Sequence, residues 1–267
     1  MNSRDLLEKY ALRPNKALGQ NFLVDEDAIG SIVSLAAEPA LPLIEIGPGL
    51  GALTFPLAAA GLPMAAVELD SALAGILEKE LPGNVRIINA DFLKCDLAGI
   101  ASSLGEELTV AGNLPYYITS PIAARLMTSG LSIKRMVLMV QKEAADRFTA
   151  GPQDKNYVPL TIMSQLLYNI RTVMELSPAS YYPQPEVSSS VLLFDSKGVS
   201  LPEGLPRFLT CAFSMRRKTL ANNLAAMGIS KADAARIISE AGFDPSVRAE
   251  ALSPEEFLKL FSFFDPR

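Results

Sequence analysis

Histidine is absent from all 267 residues. That excludes Ser-His-Asp and Cys-His catalytic sets, histidine general bases and most transition-metal centres. Whatever chemistry the chain performs needs no base titrating near neutrality, or takes one from a carboxylate, a lysine or a tyrosine. Only two cysteines occur, Cys95 and Cys211. Their spacing matches neither a disulfide framework nor a zinc site, so both read as buried structural residues and no metal is expected. A reducing cytoplasm is the simple setting. No apolar run reaches the ~18 residues of a membrane span, and Met1 to Leu6 lacks the apolar stretch of a signal peptide, so no membrane partner is expected. Acids outnumber bases, 29 to 24, for a net charge of −5, which opposes non-specific nucleic-acid binding.

The distribution of charge says more than its sum. Three windows contain bases and no acid: residues 9–24 with Lys9, Arg13 and Lys16, residues 108–142 with Arg125, Lys134, Arg135 and Lys142, and residues 204–232 with Arg207, Arg216, Arg217, Lys218 and Lys231. These suggest a polarised surface on an acidic protein. With 49% hydrophobic and 20% charged residues, the chain suits one large folded domain and a small one.

The chain is organised around Leu43-Ile44-Glu45-Ile46-Gly47-Pro48-Gly49-Leu50-Gly51. Four residues read as a buried strand, three glycines follow, and a helix opens after Gly51. Such a turn lets a ligand approach bare backbone at a helix N-terminus. Gly47-x-Gly49-x-x-Ala52, with Glu68 at a suitable distance for ribose hydroxyls, also fits a loose dinucleotide fingerprint. Pro48 argues against that, because it removes a backbone N–H where a pyrophosphate wants donors. S-adenosyl-L-methionine carries no phosphate. It needs close backbone approach, a carboxylate for its ribose diol and a partner for its adenine.

Periodicity predicts strands at 43–46, 64–68, 85–90, 108–112 and 133–140, alternating with helices at 26–37, 52–60, 71–81 (capped by Ser71), 97–104, from 120 onward and 142–149. This is a parallel α/β sheet. Gly47, Glu68, Asp91 and Asn113 fall at the carboxyl ends of successive strands, so four separate elements would share one crevice. Residues 18–24 fit neither a helix nor an alternating strand. Beyond Gly151, a helix at 157–168 and an antiparallel hairpin (170–176 and 188–194) complete the sheet around the extended segment Tyr181 to Pro185. Gly and Pro mark a linker near 196–205, and helices follow at 207–213, 217–227, 230–241 and 254–264, the last opened by the capping box Ser253-Pro254-Glu255-Glu256. The expected domains are 1–200 and 201–267.

Asn113-Leu114-Pro115-Tyr116 carries the chemistry. The lone pair of an adenine amino group is delocalised into its ring, so the nitrogen is a poor nucleophile. An acceptor at the Asn113 side chain and a backbone carbonyl near Leu114 favour a pyramidal nitrogen with a free lone pair. Pro115 stiffens that carbonyl, and Tyr116 stacks on the base. The methylated nitrogen sheds its proton to water, so the missing histidines fit. Glu68 would hold the ribose hydroxyls and counter the sulfonium charge. Asp91 would accept from the cofactor's adenine amino group. Helix capping is the plainer reading of either acid.

The segments Leu18-Gly19-Gln20-Asn21-Phe22-Leu23, Glu45 to Gly51, Val67-Glu68-Leu69-Asp70, Ala90-Asp91, Gly112 to Tyr117, Gln141-Lys142-Glu143 and Phe213-x-x-Arg216-Arg217-Lys218-Thr219-Leu220-x-Asn222-Asn223-Leu224 together resemble the KsgA/RsmA family of ribosomal RNA adenine dimethyltransferases. The resemblance implies a Rossmann-like, S-adenosyl-L-methionine-dependent methyltransferase sheet with a small C-terminal helical domain. It implies a monomer acting on two adjacent adenines near the 3′ end of 16S rRNA in the immature small subunit. It carries cofactor contacts to Asn21, Leu23, Gly47, Glu68, Asp91 and Asn113. RNA contacts fall to the three basic windows, with Arg216, Arg217 and Lys218 foremost, and to Tyr181 as a stacking ring. The chain departs from the family at Tyr157-Val158, where Tyr-Gly is usual, and at Ser188, where Asp is usual. An Erm-type large-subunit methyltransferase shares the sheet and the Asn-x-Pro-aromatic motif, but the Arg216 to Leu220 segment favours KsgA. A non-catalytic assembly factor is opposed by the intact Asn113 and Glu68.

Overall fold

The computed structural model describes residues 3–12, 14–15 and 19–264, with side chains from Asp5 onward. Arg13, Lys16 and Leu18, which figure in the basic windows and the family segments, lie outside the described residues. The chain forms two compact units, one of residues 1–145 and 169–196, the other of residues 146–168 and 197–267.

The first unit is built on a seven-stranded sheet. Its strands are β2 (Leu43–Ile46), β3 (Met64–Glu68), β4 (Val85–Asn89), β5 (Glu107–Asn113), β6 (Ser132–Gln141), β7 (Tyr168–Leu176) and β9 (Ser189–Ser196), in the order β4-β3-β2-β5-β6-β9-β7. The strands from β4 to β6 are parallel, and β9 runs antiparallel to β6. Between β2 and its two neighbours the strand order reverses direction. The glycine turn after β2 therefore opens into the crevice at the switch point, where open α/β sheets bind ligands. The register brings Ile46 opposite both Val67 and Gly112, so the turns after β2, β3 and β5 leave the sheet at one level.

Helix α2 (Glu26–Ala37) leads into β2, and α3 (Thr54–Ala59), α4 (Ser71–Glu80), α5 (Leu97–Ser102) and α6 (Thr119–Met127) supply the crossovers. Helix α2 fills the predicted span, and its buried stripe of Ala28, Ile32 and Ala36 joins the sheet core with Leu43, Ala66 and Val137. One cap differs from expectation. Asp70, not Ser71, caps α4, accepting from the backbone N–H groups of Ala72 and Leu73. Both residue types cap well, and the carboxylate one residue earlier wins the position. Helix α1 (Ser3–Lys9) docks through Leu6 onto Phe22, Leu50, Leu73 and Ile76, and Glu80 accepts from both Lys9 and Tyr10.

Residues 18–24, without a periodic signal, contain β1 (Phe22–Leu23). It pairs antiparallel with β8 (Tyr181–Tyr182), Phe22 opposite Tyr182 and Leu23 opposite Tyr181. The two partners lie far apart in sequence, so no local pattern announces the pair.

The second unit is helical. Helix α7 (Lys142–Thr149) passes from the first unit into it, followed by α8 (Pro159–Leu167), α9 (Leu205–Ala212), α10 (Leu220–Leu224), α11 (Lys231–Glu240) and α12 (Pro254–Phe264). Its core brings Phe208 against Phe257, Phe261 and Phe264. The Ser253–Glu256 capping box forms reciprocally: Glu256 N donates to Ser253 Oγ and Ser253 N donates to Glu256 Oε2. The division near residue 200 needs a correction. Residues 146–168 belong to the helical unit, where the buried Tyr157 donates to the Leu252 carbonyl at 2.9 Å and α8 packs on α12. The two cysteines are also half-buried and not fully enclosed.

Candidate active site

A cleft of about 1070 Å³, its open mouth included, lies at the carboxyl ends of β2, β3 and β5. Asn21, Leu23, Gly47, Glu68, Asp91, Asn113, Leu114, Pro115 and Tyr116 all line it. The sequence separated these residues by up to 95 positions along the chain (21 to 116); the sheet register gathers them.

The floor is the glycine turn. Gly47, Gly49 and Gly51 all have positive φ. At Gly49, with φ of +58°, an added Cβ would stand 3.2 Å from the Phe22 ring, so a side chain would be both strained and crowded. Gly49 N donates to Glu68 Oε2 at 2.9 Å and Asp70 N donates to Oε1 at 2.8 Å. Each carboxylate oxygen thus spends one lone pair on the backbone and keeps another for a ligand hydroxyl. Burial raises the Glu68 carboxyl; the backbone N–H groups of Asp70, Gly49 and Leu69 pull it back down, and the nearby Asp70 charge adds to the rise.

Asp91 stands just past β4. Its Oδ1 accepts from Leu93 N at 2.9 Å and its Oδ2 pairs with Lys94 at 3.3 Å, and the Leu93 bond leads in holding the carboxyl below its ordinary range. It therefore caps its own turn and also lines the cleft. Asn113, at the end of β5, donates from Nδ2 to the Asn21 carbonyl at 3.0 Å. That bond ties the β1 arm to the sheet and leaves Oδ1 as an acceptor in the cleft. Leu114 N donates to the Met139 carbonyl at 3.0 Å, and Ile118 N closes a turn on the Pro115 carbonyl at 3.1 Å. The Tyr116 hydroxyl meets Ser189 Oγ at 2.9 Å. Ser189 is fully buried, so its hydroxyl fixes the tilt of the Tyr116 ring from β9.

Glu45 escaped notice as anything but part of the glycine segment. It lines the cleft, is 2% exposed, and its Oε2 has no partner among the described residues. Burial pushes its carboxyl up to about 8; the nearby Thr54 hydroxyl pulls the other way and Glu68 adds to the rise. The folded-state value lies above the unfolded one, so the folded chain holds a proton that the unfolded chain has lost. The stability this contributes is present at low pH and is lost as pH rises from about 4.5 to about 8. Glu45→Gln is expected to melt several degrees above wild type at pH 8, at about 2–4 °C per kcal/mol, and close to it at pH 5. Equal shifts at both pH values in thermal scans would contradict the assignment.

The assignment of Tyr181 fails. Tyr181 is 2% exposed and sits in the sheet core, with its hydroxyl against Ser189, so it offers no ring face to RNA. The alternation of β8 buries Tyr181 and turns Tyr182 outward. Arg216 is also engaged: it donates to the carbonyls of Asp154 and Lys155 and pairs with Glu250 at 3.1 Å. The bases of the window at 108–142 are engaged in the same way, because the fold brings acids and carbonyls to them. Arg125 donates to the carbonyls of Phe92 and Cys95, Lys134 pairs with Glu107, Arg135 with Glu38 and Asp195, and Lys142 with Glu175. Lys9 is held by Glu80. Arg217 and Lys218 are exposed and make no ion pair among the described residues.

A glycine turn at the switch point, an acid after β3 and an Asn-Leu-Pro-Tyr turn after β5 define a Rossmann-like methyltransferase. Residues 11–266 match the family described as "Ribosomal RNA adenine dimethylase". The chain belongs to that family. It is 38% identical to "Ribosomal RNA small subunit methyltransferase A" of Clostridium botulinum over 97% of each chain. A dimethyladenosine transferase from Plasmodium falciparum has the same fold, with a TM-score of 0.72 and 22% identity, covering 91% of this chain and 97% of that one. The 23S rRNA methyltransferase ErmE is also similar, with a TM-score of 0.66 and 26% identity, covering 91% and 99%.

Proposed function

We propose that the chain methylates the 6-amino groups of two adjacent adenines near the 3′ end of small-subunit rRNA, twice each. Its methyl donor is S-adenosyl-L-methionine. The observation that carries the reading is the Asn113 amide: with Nδ2 committed to Asn21, its Oδ1 is left to accept from an adenine amino group. The cleft fits the donor, because Glu68 keeps a lone pair on each oxygen for a ribose diol and Gly49 leaves its backbone bare. Leu69, half-exposed in the cleft, offers apolar cover for an adenine ring, with Asp91 beside it.

The donor supplies an electrophilic methyl on a sulfonium. The chain's own residues do the rest by placement. Asn113 Oδ1 and the Leu114 carbonyl accept the N–H bonds of the target and localise its lone pair. Tyr116, braced by Ser189, stacks on the extruded base. The displaced proton leaves to water, because a methylated aromatic amine is strongly acidic, and no histidine is needed. We place the reaction on immature small subunits, by a monomer in the cytoplasm. No helix among the described residues is long and apolar enough to cross a membrane.

Labelled donor offered separately to unmodified small and large subunits tests the reading. Label in the small subunit is expected; label in the large subunit alone favours the ErmE-like alternative. In the helical unit, Arg217 and Lys218 carry the phosphate grip. Reversing both charges should weaken RNA binding and lower its salt slope by about 0.7 for each phosphate no longer neutralised, with donor affinity unchanged. Arg216→Glu should instead lower the melting temperature, because it cuts the ties to residues 154, 155 and 250. Equal loss of donor and RNA affinity in the double variant would rule out a phosphate role.

A further inference from the structure

We propose that Tyr117 is a subsite for the base that flanks the adenine being methylated, a nucleobase of single-stranded RNA. This rests on the dimethyltransferase reading above and adds to its substrate side. Tyr117 is 60% exposed, the most of any large hydrophobic residue described, yet it lines the same cleft as Asn113 and Tyr116. Its hydroxyl holds no partner among the described residues, so the ring is not there to anchor the fold through its phenol.

The ring nevertheless rests against the chain. The turn over Tyr116–Ile118 is closed onto Pro115, and the ring lies over Gly19, with its atoms 3.6 and 3.8 Å from where a Cβ at that position would stand. Gly19 has φ of +63°, so a side chain there would be strained as well as pressed on the ring. The segment beneath is held at three successive residues. Asn21 Nδ2 donates to the Gly19 carbonyl, Gln20 Nε2 to Asp70 Oδ2, and Asn113 Nδ2 to the Asn21 carbonyl. Tyr117 is thus backed by this segment and open to solvent elsewhere, one residue from the ring that stacks on the target.

Extruding one adenine uncovers the face of its neighbour, and that lost stacking opposes the reaction. An aromatic ring at the rim of the cleft restores it. The two target adenines are adjacent and the strand runs in one direction, so Tyr117 takes the second adenine as flanking base in one round and the nucleotide on that same side of the target in the other.

The test uses the full chain as Tyr117→Ala, Tyr117→Phe and Tyr117→Trp. Initial rates are read on small subunits lacking the modification, and on reconstituted subunits with uridine replacing the adjacent adenine. Donor binding is measured by calorimetry. The alanine variant is expected to lose about 5- to 150-fold in kcat/KM for subunits, the equivalent of about 1–3 kcal/mol of stacking, with unchanged donor affinity. Phenylalanine and tryptophan should restore the rate to within about twofold. With uridine beside the target, the alanine change should cost much less. An alanine variant as fast as wild type, a phenylalanine variant as slow as alanine, or the same loss beside uridine overturns the subsite alone. Wild-type protein that leaves small subunits unlabelled overturns the dimethyltransferase reading and the subsite with it.

Discussion

Replacing Asn113 by alanine is expected to lower methyl transfer to small subunits by about 10²–10³-fold, the usual cost of deleting one preorganised polar group at a reacting centre. The effect should fall on kcat. The Oδ1 acceptor matters most when the target nitrogen becomes pyramidal, and only interactions stronger in the transition state speed the chemical step. A smaller loss is expected in stability, because the Nδ2 bond to the Asn21 carbonyl is worth about 1 kcal/mol. Rapid-quench measurement with saturating donor and subunits separates the two. A variant that melts like wild type and transfers at a comparable rate would remove Asn113 from the chemistry.

The second large effect is expected at Glu68. Both of its oxygens accept from backbone N–H groups, those of Gly49 and Asp70. Glu68→Gln turns one acceptor into a donor that faces an N–H, so the amide cannot keep both bonds. It also loses a charged acceptor for the ribose diol. Loss of one hydrogen bond to a charged group costs about 1.5–3 kcal/mol, or about 10- to 150-fold in donor Kd by calorimetry. The pH dependence follows from the same burial. The Glu68 carboxyl is raised, so donor affinity should fall as acidification protonates it. An unchanged Kd in the glutamine variant would show that the diol binds elsewhere.

The parts of this fold that were legible in the sequence are those set by local pattern. Helix α2 fills the span its apolar period marks, the capping box at Ser253 is a four-residue signature, and the glycine turn reads directly because positive φ excludes most other residues. The strand ends at Gly47, Glu68, Asp91 and Asn113 could be placed because parallel strands alternate with helices at regular spacing.

What was illegible depends on partners remote in sequence. The β1–β8 pair joins residues 22–23 to 181–182, and its register alone decides that Tyr181 goes inward while Tyr182 goes out. The acid-free window at 108–142 looked like an RNA face until Glu38, Glu107, Glu175 and Asp195 were brought to it from outside. Ser189 gave no sign of bracing Tyr116, because the contact joins the turn after β5 to β9, 73 residues further on. The segment at 146–168 joined the wrong domain in the linear reading, because glycine and proline mark only one of the three places where the chain crosses between units.

The proposed activity needs one cleft to hold donor and target together. A crystal structure with S-adenosylhomocysteine, the demethylated donor, tests it most directly. The ribose diol should lie on both oxygens of Glu68 and the adenine beside Asp91 and Leu69, with the sulfur directed toward Asn113. A ribose away from Glu68, or a sulfur directed away from the Asn113 turn, would contradict it.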